Sequence, residues 1–240
     1  MRLLRPAILV VTLSGAAAAL AQGAAPVQVS FGGAGEASYL RLLLLFASVS
    51  LAPALLAVAT SFARIVIVLF FLRAGLSSQQ LIPNPVVIGL ALLLTAFSMS
   101  GTLQEVNERS VGPLLAGEIK LGAAWQAAQA PTRAFLAAHA RAEDIQLFQD
   151  FAPTPATAGP PPLHLLAAAY AISELRAAFI IGFVIYLPFV VIDLVVAGTL
   201  ASLGLVGLPP PVLALPFKVL LFVMVDGWRL LAYALLSSLQ

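Results

Sequence analysis

The stretch LHLLAAAYAISELRAAFIIGFVIYLPFVVIDLVVAGTLASLGL, residues 163–205, decides the fold. It carries only three formal charges, Glu174, Arg176 and Asp193, and a single proline, Pro188. Roughly 20 apolar residues in a helix cross about 30 Å of hydrocarbon, so this segment reads as a membrane helix longer than one perpendicular crossing. Pro188 has no N–H and its ring crowds the carbonyl four residues back, so a bent helix or two packed pieces is expected there. The chain then turns at Leu208-Pro209-Pro210-Pro211 and returns over 212–236, which makes a helical hairpin.

The rest of the chain has the same character. Of 240 residues, 61% are apolar and 9% charged, and the mean hydropathy is +1.04. A soluble domain carries about 25% charged residues, so too little polar side chain exists to coat a water-facing globule. The fold class is an all-α integral membrane protein. A net charge of +2 offers no basic surface for nucleic acid. Cysteine is missing, which removes disulfides, thiolate nucleophiles and thiolate metal sites together. Seventeen Pro and seventeen Gly suit helices that bend or meet closely, and supply the turns.

A second hairpin precedes the first along the chain, over 41–104. It rises through Arg41 to Leu72, turns at Leu81-Ile82-Pro83-Asn84-Pro85 and runs back from Val86. Before it, residues 1–21 have the order of a cleavable signal peptide: Arg2 and Arg5, a short apolar core, then Ala19-Leu20-Ala21. Residues 22–40, rich in Gly and Ala, read as a flexible lead-in on the periplasmic side. Counting sides from the signal puts 105–162 outside and both proline turns inside. The basic residues divide between sides, with Arg73 and Lys218 near the inner turns but Arg109, Lys120, Arg133 and Arg141 in the outer loop.

Residues 105–162 are the water-compatible insertion. Two short amphipathic helices are expected, roughly 114–129 and 132–151, with Trp125, Phe135, Leu136, Leu147, Phe148 and Phe151 as core candidates. Pro153 to Pro162 follow as an extended linker. His139, beside Arg141, is expected on a solvated face.

Seven ionisable residues lie within the apolar helices: Arg64, Glu174, Arg176, Asp193, Lys218, Asp226 and Arg229. Each costs about 2.5–3.5 kcal/mol at the centre of a membrane helix unless it pairs or meets water. Asp226 and Arg229, three apart, can share a helix face, with Lys218 two turns earlier on nearly the same side. Glu174 and Arg176 point apart, so each needs a partner on another helix or another subunit. Two roles stay open for the set: charge pairs that lock helices together, or participation in proton-coupled transport. Enzyme motifs are missing, and Asp193 and Asp226 lack the flanking pattern of an aspartyl dyad. No cofactor and no metal is expected.

Several separated motifs carry a family resemblance. Thr60-Ser61-Phe62-Ala63-Arg64-Ile65, Pro83-Asn84, Ser173-Glu174-Leu175-Arg176, Pro188-Phe189, Ile192-Asp193-Leu194, Leu215-Pro216-Phe217-Lys218 and Asp226-Gly227-Trp228 occur in order. Together they resemble the FliP family, subunits of the flagellar type III export gate. The R component of virulence injectisomes belongs to the same family and is the alternative, ahead of a polytopic small-solute transporter built from two hairpins.

The resemblance implies a homo-pentamer, ring-like and helical. It would assemble with the small Q and R export proteins, an FlhA-type ring and an FlhB-type switch protein into a conduit for unfolded flagellar subunits. It implies residence in lipid, in the bacterial inner membrane at the flagellar basal body, with a periplasm-facing portion. It also implies that the charges in the helices find partners at subunit contacts. The consecutive methionines usual before the proline turn are replaced here by Leu205-Val206-Gly207, the candidate pore seal. Pro83, Pro85, Pro188, Pro209 and Pro210 are the kink and turn residues.

Overall fold

The computed structural model describes residues 58–76, 82–152, 160–205 and 207–239, with scattered positions between 43 and 50. All regular structure among them is helical. The signal, the lead-in, most of the rising arm before Val58, the 153–159 linker and Val206 lie outside the described residues. Leu43, Phe46 and Ala47 are helical and belong to a unit separate from residues 50–240.

In the larger unit the helices are α1 (Phe62–Gly75), α2 (Asn84–Ser98), α3 (Ser100–Val106), a π turn (Asn107–Val111), α4 (Gly112–Leu115), α5 (Leu121–His139), α6 (Ala142–Asp150), α7 (Leu163–Ser202), α8 (Pro210–Met224) and α9 (Gly227–Ser237). Local chemistry sets several of these ends. Thr60 Oγ1 accepts the Phe62 N–H at 3.2 Å, which satisfies one of the orphan donors at the start of α1. Pro83 and Pro209 stand extended before α2 and α8, and Pro85 and Pro210 occupy first-turn positions where a missing N–H costs nothing. Arg73 reaches across the first turn to donate to Asn84 Oδ1.

α7 runs unbroken for 40 residues through Pro188, about 60 Å at 1.5 Å per residue. It is one helix, not two packed pieces. The two large bends fall elsewhere, 70° between α2 and α3 and 63° between α8 and α9. At the second bend Asp226 adopts a left-handed backbone, φ 50° and ψ 52°. α7 is the one described helix long and apolar enough to cross a membrane alone, and each bent pair meets the same test if taken as one span.

The core follows from a single stripe. Ile65, Val68, Leu69, Leu72 and Leu76 recur at helical spacing on one face of α1 and bury against Val87 and Ala91 of α2, Ala178 and Phe189 of α7, Phe222 of α8, and Leu231 and Leu235 of α9. α1 approaches α7 closely because glycine faces an aromatic ring at two places. A Cβ on Gly182 would stand 2.4 Å from the Phe71 ring, and one on Gly75 would stand 2.5 Å from that of Phe189.

A second cluster, Met99, Phe135, Leu136, Leu166 and Tyr170, ties the insertion to the start of α7. The insertion differs from its expected form. α5 passes straight through Pro131, where a boundary between two helices was expected, and the Thr132 hydroxyl donates to Ala128 O at 2.8 Å beside the lost backbone bond. One continuous rod puts Ala124, Pro131 and Phe135 on its buried face and leaves Trp125 outside. Leu147 and Phe151 are likewise exposed, while Phe135 and Leu136 are in the core as expected.

The glycine contact is testable. Gly182→Ala should lower the thermal midpoint of the detergent-solubilised protein by the equivalent of about 1–3 kcal/mol. Gly198→Ala, inside the same helix with open space around the added Cβ, should raise the midpoint by the equivalent of about 0.5–1 kcal/mol.

Candidate functional site

Charge burial organises the interior of the helical unit. Arg64 of α1 and Glu174 of α7 are 5% and 1% exposed. They meet side-on, Arg64 Nε donating to Glu174 Oε2 at 2.8 Å and Nη2 to Oε1 at 2.5 Å. The third guanidinium nitrogen, Nη1, donates to Ser238 O at 2.5 Å and Ser238 Oγ at 3.1 Å, at the end of α9. One cation therefore joins α1, α7 and the last turn of α9. The planar fork of arginine suits this task, since it serves a bidentate carboxylate and a separate acceptor together. Alongside, Ser61 and Ser98 hydroxyls share a hydrogen bond of 2.8 Å between α1 and α2.

A second pair lies along the α7–α8 hairpin. Lys218 Nζ, fully buried, donates to Asp193 Oδ2 at 2.6 Å, and Asp193 keeps 33% of its side chain exposed. Asp193 Oδ1 is itself enclosed and has no hydrogen-bond partner. Arg176 is different in kind. It lies on the surface, 3.7 Å from Glu143 of α6, which also pairs with Arg141 at 3.1 Å. Beneath that surface cluster Ser173 Oγ donates to the buried Asp144 carboxylate at 2.5 Å and accepts the Arg141 N–H at 3.0 Å, holding α6 on α7.

These contacts correct the expectation that the embedded charges find their mates across subunits. Arg64 pairs with Glu174 and Lys218 with Asp193 within one chain, with Asp193 Oδ1 left over. They also correct the grouping of Lys218 with Asp226 and Arg229. The α8–α9 bend falls at Asp226 itself, so no continuous helix face joins the three, and Lys218 turns to α7 instead. Asp226 and Arg229 are exposed and have no ion-pair partner among the described residues; with Tyr233 they line a shallow surface pocket of about 290 Å³.

His139, expected on a solvated face, is half-buried, its ring nitrogens 2.8 Å from Phe135 O and 3.0 Å from Leu239 O. Ser238, Asp144 and Tyr170 carry no signal in the sequence, and Ser173 enters there only as part of a family motif, because a serine, an acid in a polar segment or a tyrosine shows no role until a partner stands beside it.

The loop before the proline turn is shaped by a helix-ending motif. Gly204, φ 71°, follows α7, and the Leu205 N–H returns to Leu200 O at 3.0 Å while the Gly204 N–H returns to Ala201 O at 3.1 Å. This double return satisfies the final carbonyls of α7 and requires a residue tolerant of positive φ. Leu203, Leu205 and Leu208 then stand exposed around the turn. Of the candidate seal residues, Leu205 is 45% exposed, Gly207 is exposed, and Val206 lies outside the described residues.

The pairs yield a contrast. Glu174→Gln strands a buried guanidinium charge and should cost about 3–5 kcal/mol, whereas Arg176→Gln, at an exposed pair, should cost about 0–1 kcal/mol; thermal unfolding of the solubilised protein reads both. For the second pair, Lys218→Met should be strongly destabilising, and Asp193→Leu with Lys218→Met should recover stability. Protein export measured on the stable double variant separates the two roles: export retained means a lock, export lost means a part in transport.

The comparisons with known proteins agree with this picture. The model of the FliP family matches residues 45–235. The chain is 46% identical over 203 residues to the flagellar biosynthetic protein FliP of Bacillus subtilis, covering 84% of this chain and 92% of that one. It is 43% identical over 226 residues to the protein of the same name from Caulobacter vibrioides, covering 93% and 85%. Against that of Aquifex aeolicus it is 35% identical over 219 residues, covering 90% and 92%. With a match from residue 45 almost to the end of α9, through both buried charge pairs and the proline turns, the chain belongs to the FliP family.

Proposed function

We propose that this chain is a core subunit of the flagellar type III protein export gate, forming with Q- and R-type export proteins a conduit for unfolded flagellar proteins. The observation that carries the reading is the family match over nearly the whole helical unit, with relatives named as flagellar biosynthetic proteins. The surface is consistent with it. α7 and α8 present Phe179, Phe183, Leu194, Val195, Leu220 and Val223 to the outside, far more apolar area than a lone water-soluble chain tolerates.

In this reading those faces meet lipid, further copies of the chain and the partner proteins, and the assembly is a homo-pentamer ringed by the FlhA-type protein and contacted by the FlhB-type switch. The embedded charges are mated internally, so the apolar faces and the exposed Asp226 and Arg229 are what favours oligomerisation. Those two are the charges best placed to meet a neighbouring subunit. The gate sits in the bacterial inner membrane at the flagellar basal body, its 105–162 insertion facing the periplasm. It performs no covalent chemistry. The internal mating of Arg64 with Glu174 and of Lys218 with Asp193 favours the locking role over proton coupling.

The closed gate must exclude ions yet admit a chain of any sequence, a task for an apolar constriction that dewets. Leu205, with Val206 and Gly207, takes the place of the methionines usual in the family. Gly204 terminates α7 sharply and leaves Leu205 projecting, so the seal is built on a rigid helix end and a branched aliphatic side chain in place of an adaptable thioether.

Two measurements test the reading. Purified from its native membrane, the chain should copurify with Q- and R-type proteins as a large hetero-oligomer; recovery as a lone monomer or dimer would favour a small-solute transporter. In the assembled complex Leu205→Gly should raise ion leak with assembly unchanged, and an unaltered leak would remove Leu205 from the seal.

A further inference from the structure

A half-open groove lies between the middle of α7 and the α8–α9 bend, and we propose that it holds one acyl chain of a phospholipid whose headgroup carries a primary ammonium. The groove has a volume of about 530 Å³, within the range of about 300–1,000 Å³ that holds small ligands. Ile181, Val184 and Phe189 of α7, Phe222 of α8, and Leu230 and Ala234 of α9 line it, and the rest of the wall is likewise apolar or glycine. It extends from Ile180 to Phe189, about 14 Å along α7. No side chain in such a wall can hydrogen-bond a polar occupant, so what it takes is hydrocarbon.

The groove adjoins a charged rim. Val225 and Leu230 belong both to its wall and to that of the shallow pocket formed with Asp226, Arg229 and Tyr233. Asp226 and Arg229 are exposed, and the Asp226 side chain does not cap α9. The rim therefore offers one anion and one cation, neither of them engaged in an ion pair among the described residues. A phosphoethanolamine headgroup bears the complementary charges. Its phosphate suits the Arg229 guanidinium, and its ammonium, with three N–H donors, suits the Asp226 carboxylate. A choline headgroup has a cation without an N–H, and a phosphoglycerol headgroup has no cation and brings its negative charge against Asp226.

The surroundings fit the level at which headgroups lie. Trp228 and Tyr233 are exposed on the same helix as Arg229, and these two aromatic types collect at membrane–water interfaces. α7, with 40 residues, is about 60 Å long, twice the roughly 30 Å of hydrocarbon. With one half of it in the bilayer, its middle, which carries the groove, stands at the interface. The rim also favours a lipid over a second copy of the chain, because an apolar helix laid in the groove leaves both charges unmatched. The lipid rests on the membrane residence of the chain and not on its place in an export gate, and it becomes part of the surface that a neighbouring copy meets.

Trp228 reports on the groove, because its ring meets that of Phe222 edge-on with centroids 5.3 Å apart. Trp125→Phe leaves Trp228 as the one tryptophan of the full chain. That chain is reconstituted in phosphatidylcholine vesicles in which a rising fraction of the lipid is brominated on its acyl chains and carries an ethanolamine, choline or glycerol headgroup. Brominated phosphatidylethanolamine should half-quench Trp228 at a fraction about two- to fivefold below brominated phosphatidylcholine, the scale of one exposed ion pair. Asparagine tolerates the left-handed backbone of residue 226, so Asp226→Asn should fold and erase that preference. It should also let phosphatidylglycerol lead, since Arg229 then faces the headgroup alone, and adding Arg229→Gln should make the three headgroups equivalent. Coincident curves for ethanolamine and choline headgroups in the Trp125→Phe chain overturn the proposal by themselves. So does a lead for phosphatidylglycerol there, or an ethanolamine preference that survives in Asp226→Asn. Quenching that sets in only when the chain is diluted to one copy per vesicle assigns the groove to a second copy and overturns it as well.

Discussion

Burying a guanidinium in an apolar helix bundle is the constraint on which the rest of the structure depends. Arg64 sits among Ile65, Val68 and Leu69 on the one face of α1 that packs against everything else. The desolvation of that cation is offset only if a carboxylate meets it squarely and the remaining N–H groups are also satisfied. Glu174 supplies the carboxylate and the end of α9 supplies the carbonyl. Because these partners are separated by more than 100 residues along the chain, satisfying one side chain brings α1, α7 and α9 together. The apolar stripe supplies the packing; the charge specifies which packing is acceptable.

The same logic separates the interior from the surface. Interior charges are mated by geometry that leaves little freedom, and interior glycines let helices touch where Phe71 and Phe189 need room. Surface charges such as Arg176, Arg141 and Glu143 form looser clusters at the join between insertion and bundle. What is left over is apolar: the outer faces of α7 and α8 and the leucines around Gly204. A chain built this way pairs its buried charges internally and leaves a large apolar surface exposed.

Proline and glycine act differently from their reputations here. Pro188 and Pro131 lie inside continuous helices, because each deletes one backbone bond in a rod whose neighbours hold it on course. The large bends come instead at Met99 and at Asp226, where no proline stands. Asp226 is held in a left-handed conformation that costs an ordinary residue roughly 1–2 kcal/mol. The adjacent Gly227 permits the bend, since any Cβ there would strike the Phe222 ring. The second bend therefore goes with the close packing of Gly227 of α9 against Phe222 of α8.

Much of this architecture was legible in the residues. Composition and the 163–205 run required membrane helices, the proline pairs at 83–85 and 209–210 marked both turns, and the rarity of charge identified Arg64, Glu174, Asp193 and Lys218 as residues that need partners. Those features are local: they depend on hydropathy, spacing and the missing N–H of proline, all of which a sequence states directly. Who the partners are was not legible, because Arg64 with Glu174, Lys218 with Asp193 and His139 with Leu239 join positions whose proximity exists only after the helices pack. The sequence by itself determined that the charges had to be neutralised. Only the tertiary structure decided that this happens within a single chain, because the distance between two side chains is a property of the packed helices and not of their separation along the backbone.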